Sequence, residues 1–111
     1  MYIPANAVIA EEKLTQYLLV SKTRNDKSKF LARGGFTPDN PEELKAAIRQ
    51  LADRGEARFE KTTEYGTSFQ VKGVLQGVNA HDLPVVLVWF QRSADNLFYF
   101  VTLKPDQGSM K

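Results

Sequence analysis

Five cations fall within twelve residues of this chain: Lys22, Arg24, Lys27, Lys29 and Arg33, with only Asp26 opposing them. A run of this kind is most often a solvated loop, because hydrated charge needs no partner. Held against a folded surface, the same ammonium and guanidinium groups would instead form a phosphate-facing patch. Groups able to move a proton are sparser. The one histidine, His81, stands in NAHDLP beside Asp82, which cannot easily orient it because adjacent side chains diverge. A surface loop histidine is the plainer reading. Glu60 and Glu64 are the other candidate bases, on what reads as an edge strand where they would face solvent. One histidine, no cysteine and no carboxylate cluster at ligand spacing make a metal site an unexpected feature. No cofactor is expected either. Gly34-Gly35 lacks the lysine and hydroxyl of a phosphate loop, and there is no Gly-x-Ser-x-Gly elbow.

These groups must be positioned by one domain. The chain has 111 residues, 42% of them apolar and 25% charged, which is enough for one core. Residues 1–105 read as a single domain and 106–111, DQGSMK, as a disordered tail. The net charge of +2 and a pI near 8.9 are only mildly basic. No stretch approaches the ~18 apolar residues of a membrane span. The start, MYIPANAVIAEEK, lacks the basic-then-apolar order of a secretory signal, so the expected location is the cytoplasm.

Ala10 to Leu19 has Leu14, Tyr17 and Leu18 at helical spacing. Ser21 to Ser28 reads as loop, and Lys27 to Arg33 as a short helical turn with Phe30 and Leu31 inward, ended by Gly34 and Gly35. The clearest helix is Pro41 to Arg54. Asn40 reads as its N-cap, Glu43 as a capping-box partner, Leu44, Ala47, Ile48 and Leu51 as the buried stripe, and Gly55 as the C′ residue. After Gly55 the period becomes two. Ala57, Phe59 and Lys61 alternate with Arg58, Glu60 and Thr62, and Tyr65-Gly66 makes a turn. Phe69, Val71, Gly73 and Leu75 then share one face. Val85 to Phe90 and Leu97 to Leu103 are apolar on both faces, which predicts that both are central strands. Gln91 to Asn96 fits a hairpin, and Pro105 ends the last strand. Helices followed by strands predict an α+β fold: two or three N-terminal helices packed on one face of a four-stranded antiparallel sheet. The other face is left to meet a partner.

KSKFLARGGF, positions 27 to 36, resembles the pattern of a bacterial family of small domains of unknown function: lysine, a small residue, two large apolar residues, then glycine and phenylalanine. Lys27, Ser28, Phe30, Leu31, Gly35 and Phe36 match it. KLTQYLL resembles the family's opening helix, TEYGTSFQVKG its central hairpin, and VVLVW and YFVTLKP its last two strands. The likeness covers nearly the whole chain. One departure is the ending, which in the family is often Thr-Ala-Tyr-Pro, whereas here Thr102 is followed by Leu103 and Lys104. Such domains occur at the ends of toxin-like polypeptides, or as small proteins beside a short partner gene. Their element order is similar to that of barnase, EndoU, colicin and RelE-type ribonucleases.

That resemblance implies a toxin-like, metal-independent endoribonuclease or RNA-binding domain of a toxin-antitoxin-type system. Such cleavage needs a base for the 2′-OH, an acid for the leaving 5′-oxygen, and cations at the phosphate. On this reading Lys27 contacts or activates the phosphate, Tyr65 and Thr102 line the site, and Lys29, Arg33, Arg58 and Lys72 bind phosphate. Lysine and tyrosine replace histidine in some ribonucleases of that kind; a lysine base would need a lowered pKa. Tyr65, Trp89 and Tyr99 offer faces for base stacking, although an apolar-strand tryptophan is more often core. The alternative is a non-catalytic module, antitoxin-like, scaffold or phage-borne inhibitor, pairing with a small acidic partner protein.

Overall fold

A computed structural model describes residues 1–19 and 27–106. Lys22, Arg24 and Asp26 of the basic run, and the tail beyond Asp106, lie outside the described residues, as does the side chain of Tyr17. The helices are α1, Glu11–Lys13, continued by a π-helical turn Leu14–Leu18; α2, Ser28–Ala32; and α3, Pro41–Arg54. The strands are β1, Ala57–Thr63; β2, Gly66–Leu75; β3, Leu83–Arg92; and β4, Phe98–Pro105. They form one antiparallel sheet in the order β1-β2-β3-β4. The expected α+β arrangement is the observed one, with the helices N-terminal to the strands.

Alternation makes the sheet two-faced. Ala57, Val71, Leu87 and Leu103 are successive cross-strand partners and all are buried. In the next row on that face stand Phe59, Phe69, Trp89 and Phe100. Helix α3 covers the same face with Leu44, Ala47, Ile48, Leu51 and Ala52. The contact is tight. A Cβ added at Gly55 would come 2.6 Å from Val71 Cγ1, and one at Gly73 would come 2.6 Å from Leu51 Cδ1. Gly55 is therefore small because the Val71 side chain packs directly against it. Its extended φ of −87° is not the left-handed C′ geometry expected from sequence. The widened turn of Leu14–Leu18, closed by Leu19 N–H on the Leu14 carbonyl, places Leu14, Leu18 and Leu19 in the core together.

Three local expectations are corrected. Asn40 does not cap α3 with its side chain. Its Oδ1 accepts from the N–H and hydroxyl of Thr37, and its Nδ2 donates to the Gly35 carbonyl. It braces the preceding turn instead, and Glu43 reaches it only through backbone. Strand β1 is not half-buried, since only Ala57 is covered. A bulge at Glu60 breaks its alternation, and Phe59 is exposed. β4 is not central. It is an edge strand that behaves as a covered one because the N-terminal segment lies along it: Val8 N–H donates to the Phe98 carbonyl and Phe100 N–H to the Val8 carbonyl, each at 2.8 Å. Ile3, Ala7 and Ile9 of that segment enter the core.

Trp89 lies at the core's centre, fully buried, with its ring edge-on to Phe100 at 5.5 Å. It is no surface for base stacking. Its indole N–H has no acceptor among the described residues. Trp89→Ala is expected to lower stability by about 3–5 kcal/mol. Urea unfolding followed by circular dichroism should show the midpoint falling with the slope retained.

Candidate functional site

Lys27 immediately precedes α2, whose Leu31 is fully buried and whose Phe30 packs on the core margin. Leu31 N–H donates to the Lys27 carbonyl, so the lysine backbone is tied to an anchored helix. Its ammonium donates to Thr102 Oγ1 at 2.9 Å in a half-buried contact between residues 75 apart in sequence. Thr102 sits just past a bulge at Val101 in β4 and pairs with Val88. Its hydroxyl also donates to the Leu103 carbonyl at 3.3 Å. The hydroxyl therefore accepts from the cation and is oriented by backbone. A fixed ammonium beside an oriented hydroxyl is suited to neutralising and hydrogen-bonding one anionic oxygen.

Thr102, Val88, Gln70 and Arg58 form one cross-strand row on the face away from α3. Arg58 stands at the far end, three strands or about 14 Å from Thr102. With Lys72 and Glu56 it lines a hollow of about 430 Å³. Tyr65 is elsewhere. It occupies the β1–β2 turn, 72% exposed, and strand geometry places it roughly 15 Å or more from Thr102. Its backbone is held by Thr63, and by Ser93 of the opposite hairpin. A side chain at Gly66 would meet the Gln91 carbonyl at 2.1 Å, so this turn requires glycine. Lys29 and Arg33 are exposed on and just after α2. Lys29 borders an apolar groove with Leu19 and Phe36, and the Arg33 guanidinium lies 5.9 Å over the Phe30 ring. The structure thus brings Lys27 and Thr102 together, and Arg58 and Lys72 together, and leaves Tyr65 apart. His81 is exposed in its loop, Glu60 accepts from Gln70 Nε2 at 3.0 Å on an exposed surface, and Glu64 is exposed.

A further cluster escaped sequence reasoning. In the β3–β4 hairpin, Arg92 stacks 4.3 Å over the Tyr99 ring and pairs with Asp95, whose Oδ2 accepts from the Tyr99 hydroxyl at 2.8 Å. Asp95 Oδ1 also accepts Leu97 N–H at 3.0 Å, the Asx turn that its place in a hairpin could have signalled. The Arg92 hydrogen bond, then the Leu97 N–H, hold the Asp95 carboxyl well below the usual carboxylate range. The Asp95 bond in turn raises both Arg92 and the Tyr99 phenol.

Residues 4–107 match the family described as "Domain of unknown function (DUF6883)". No functionally curated protein matches the sequence. Among solved structures, a chain of a contact-dependent growth inhibition toxin–immunity protein complex from Klebsiella pneumoniae 342 shares the fold. Its TM-score is 0.69 and its identity 18%, over 91% of this chain and 94% of that one. No helix among the described residues is long and apolar enough to cross a membrane.

Because ionising Tyr99 breaks its bond to Asp95 and sets two anions together, this tyrosine should titrate above the ordinary phenol range. Asp95→Asn should bring it down. Alkaline difference absorbance of phenolate, with Tyr99→Phe to isolate the signal, checks this.

Proposed function

The chain belongs to the DUF6883 family, and we propose that this domain acts as a toxin-like, metal-independent endoribonuclease with Lys27 and Thr102 at its centre. The observation that carries this reading is the 2.9 Å contact between the ammonium and the hydroxyl. The likeness in fold to a chain of a toxin–immunity complex supports a toxin-related or immunity-like setting. On this reading the domain acts on RNA in a bacterial cytoplasm. A base takes the 2′-OH proton, the 2′-oxygen bonds to phosphorus, the P–O5′ bond breaks, and the 5′-oxygen takes up a proton. The products are a 2′,3′-cyclic phosphate and a 5′-hydroxyl. Lys27 neutralises and hydrogen-bonds the phosphoryl oxygens on which charge builds, and Thr102, its own proton directed at the Leu103 carbonyl, holds the ammonium in place. Lys29 and Arg33 assist from the α2 side, with Arg58 and Lys72 across the sheet. Tyr65, on this reading, belongs to a base or a partner at the far end of the sheet and not to the reacting phosphate.

A second reading has its own observation. Tyr65 and the Arg58–Lys72 pair are spread over an exposed surface, as in a binding module that pairs with a small acidic partner protein, antitoxin-like or inhibitory.

Purified protein incubated with RNA and a chelator separates the two readings. The wild type should cleave, leaving cyclic phosphate ends. Lys27→Ala should reduce the rate by on the order of 10²–10³, the range for removing one transition-state donor. Thr102→Ser should retain more activity than Thr102→Val. Absence of cleavage by the wild type, or full activity in Lys27→Ala, would leave the binding module as the surviving reading. Growth arrest on expression, abolished by Lys27→Ala, is the matching result in cells.

A further inference from the structure

We infer that Arg58 and Lys72 form a second phosphate-anchoring site, separate from the Lys27–Thr102 pair, which grips a single-stranded RNA a few nucleotides away from the cleaved bond. The inference deepens the nuclease reading and rests on it for the place of cleavage. Two adjacent cross-strand rows carry it. One runs Thr102, Val88, Gln70, Arg58, and the next runs Lys104, Val86, Lys72. Both lie on the face away from α3, by the alternation that sends Leu87, Val71 and Leu103 into the core. Each row begins with a cation on the β4 side, Lys27 at Thr102 in the first and Lys104 in the second. Each ends with a cation on the β1–β2 side. Between them lie Val86, which is buried, and Val88 and Gln70, which are half-buried, and none of the three carries charge.

The far pair does not share a cleft with Lys27, because about 14 Å of sheet separates them. It has its own hollow of about 430 Å³, lined by Arg58, Lys72 and Glu56. Glu56 is paired with the Met1 ammonium at 3.6 Å, so it does not offset Arg58 and Lys72 alone. The other nearby carboxylate, Glu60, accepts from Gln70 Nε2 and keeps its charge at the β1 edge. Guanidinium and ammonium on neighbouring strands suit a phosphodiester, the first through paired N–H bonds and the second as a point charge. Cations at both ends of an uncharged floor are what a strand of evenly spaced phosphates would use, and a flexible backbone can follow the sheet twist.

The test is fluorescence anisotropy with a short, mixed-sequence 2′-O-methyl oligoribonucleotide, which cannot be cleaved because its nucleophile is blocked. Wild type, Arg58→Gln/Lys72→Gln and Arg58→Lys/Lys72→Arg are titrated over a series of salt concentrations. Losing two phosphate contacts should flatten the slope of log affinity against log salt by roughly 1.4, at about 0.7 per single-strand contact. The charge-conserving double variant should keep the wild-type slope. An unchanged slope in Arg58→Gln/Lys72→Gln, or no binding by the wild type, overturns the inference. The readout does not depend on catalysis. A flattened slope in a protein that cleaves no RNA would sink the nuclease reading while the anchoring site stands. Cleavage with an unchanged slope would do the reverse.

Discussion

The sheet carries the hydrophobic core on one side, and the remaining architecture follows from that constraint. Successive strand residues point to opposite faces, so committing Val71, Leu87 and Leu103 to the core fixes where their neighbours go. Gln70, Val88 and Thr102 then have no choice of side, and neither does Arg58 beside buried Ala57. A slip of one residue in any strand would send the charged row inward and the aliphatic row into water. Apolar burial therefore sets the register, and the register sets which polar groups can meet. The polar face is precise because the apolar face cannot tolerate error.

The edge of the sheet shows how a strand can be apolar throughout without being central. β4 has only β3 as a ladder neighbour within the sheet, yet Val8 supplies hydrogen bonds on its other flank, and Ile3, Ala7 and Ile9 add apolar cover. At the opposite edge β1 has little such cover and meets it with charge and a bulge at Glu60, devices that blunt an exposed strand edge. The two edges differ in chemistry as well. One holds an ammonium against a hydroxyl, half-buried, whereas the other presents two cations openly.

Legibility in the sequence followed how local the determining physics was. Pro41–Arg54 was readable to the residue because a proline opens it, an apolar stripe runs along it and Gly55 follows it. Phe69, Val71, Gly73 and Leu75 were readable because alternation is a local signal. The role of Asn40 was misread because Thr37 and Gly35 compete for the same amide, and propensity cannot rank such rivals. β4 was misplaced because its cover comes from residues about ninety positions earlier, in a segment of unremarkable pattern. Lys27 and Thr102 were named through family resemblance. Spacing alone could point to an anchored lysine before Phe30 and Leu31, but not to the hydroxyl it meets. The Arg92–Asp95–Tyr99 cluster was overlooked because its three members looked like turn residues and a strand aromatic.

The contact between Lys27 and Thr102 closes a span of 75 residues. Loops of that length form late, after local structure is in place. The lysine is made 75 residues before the threonine, so a nascent chain carries the first without the second. No fragment lacking β4 can hold the pair, and no partly melted state that releases β4 can keep it. Whatever the pair does is therefore switched on only by completion of the whole fold and lost with the first detachment of its final strand.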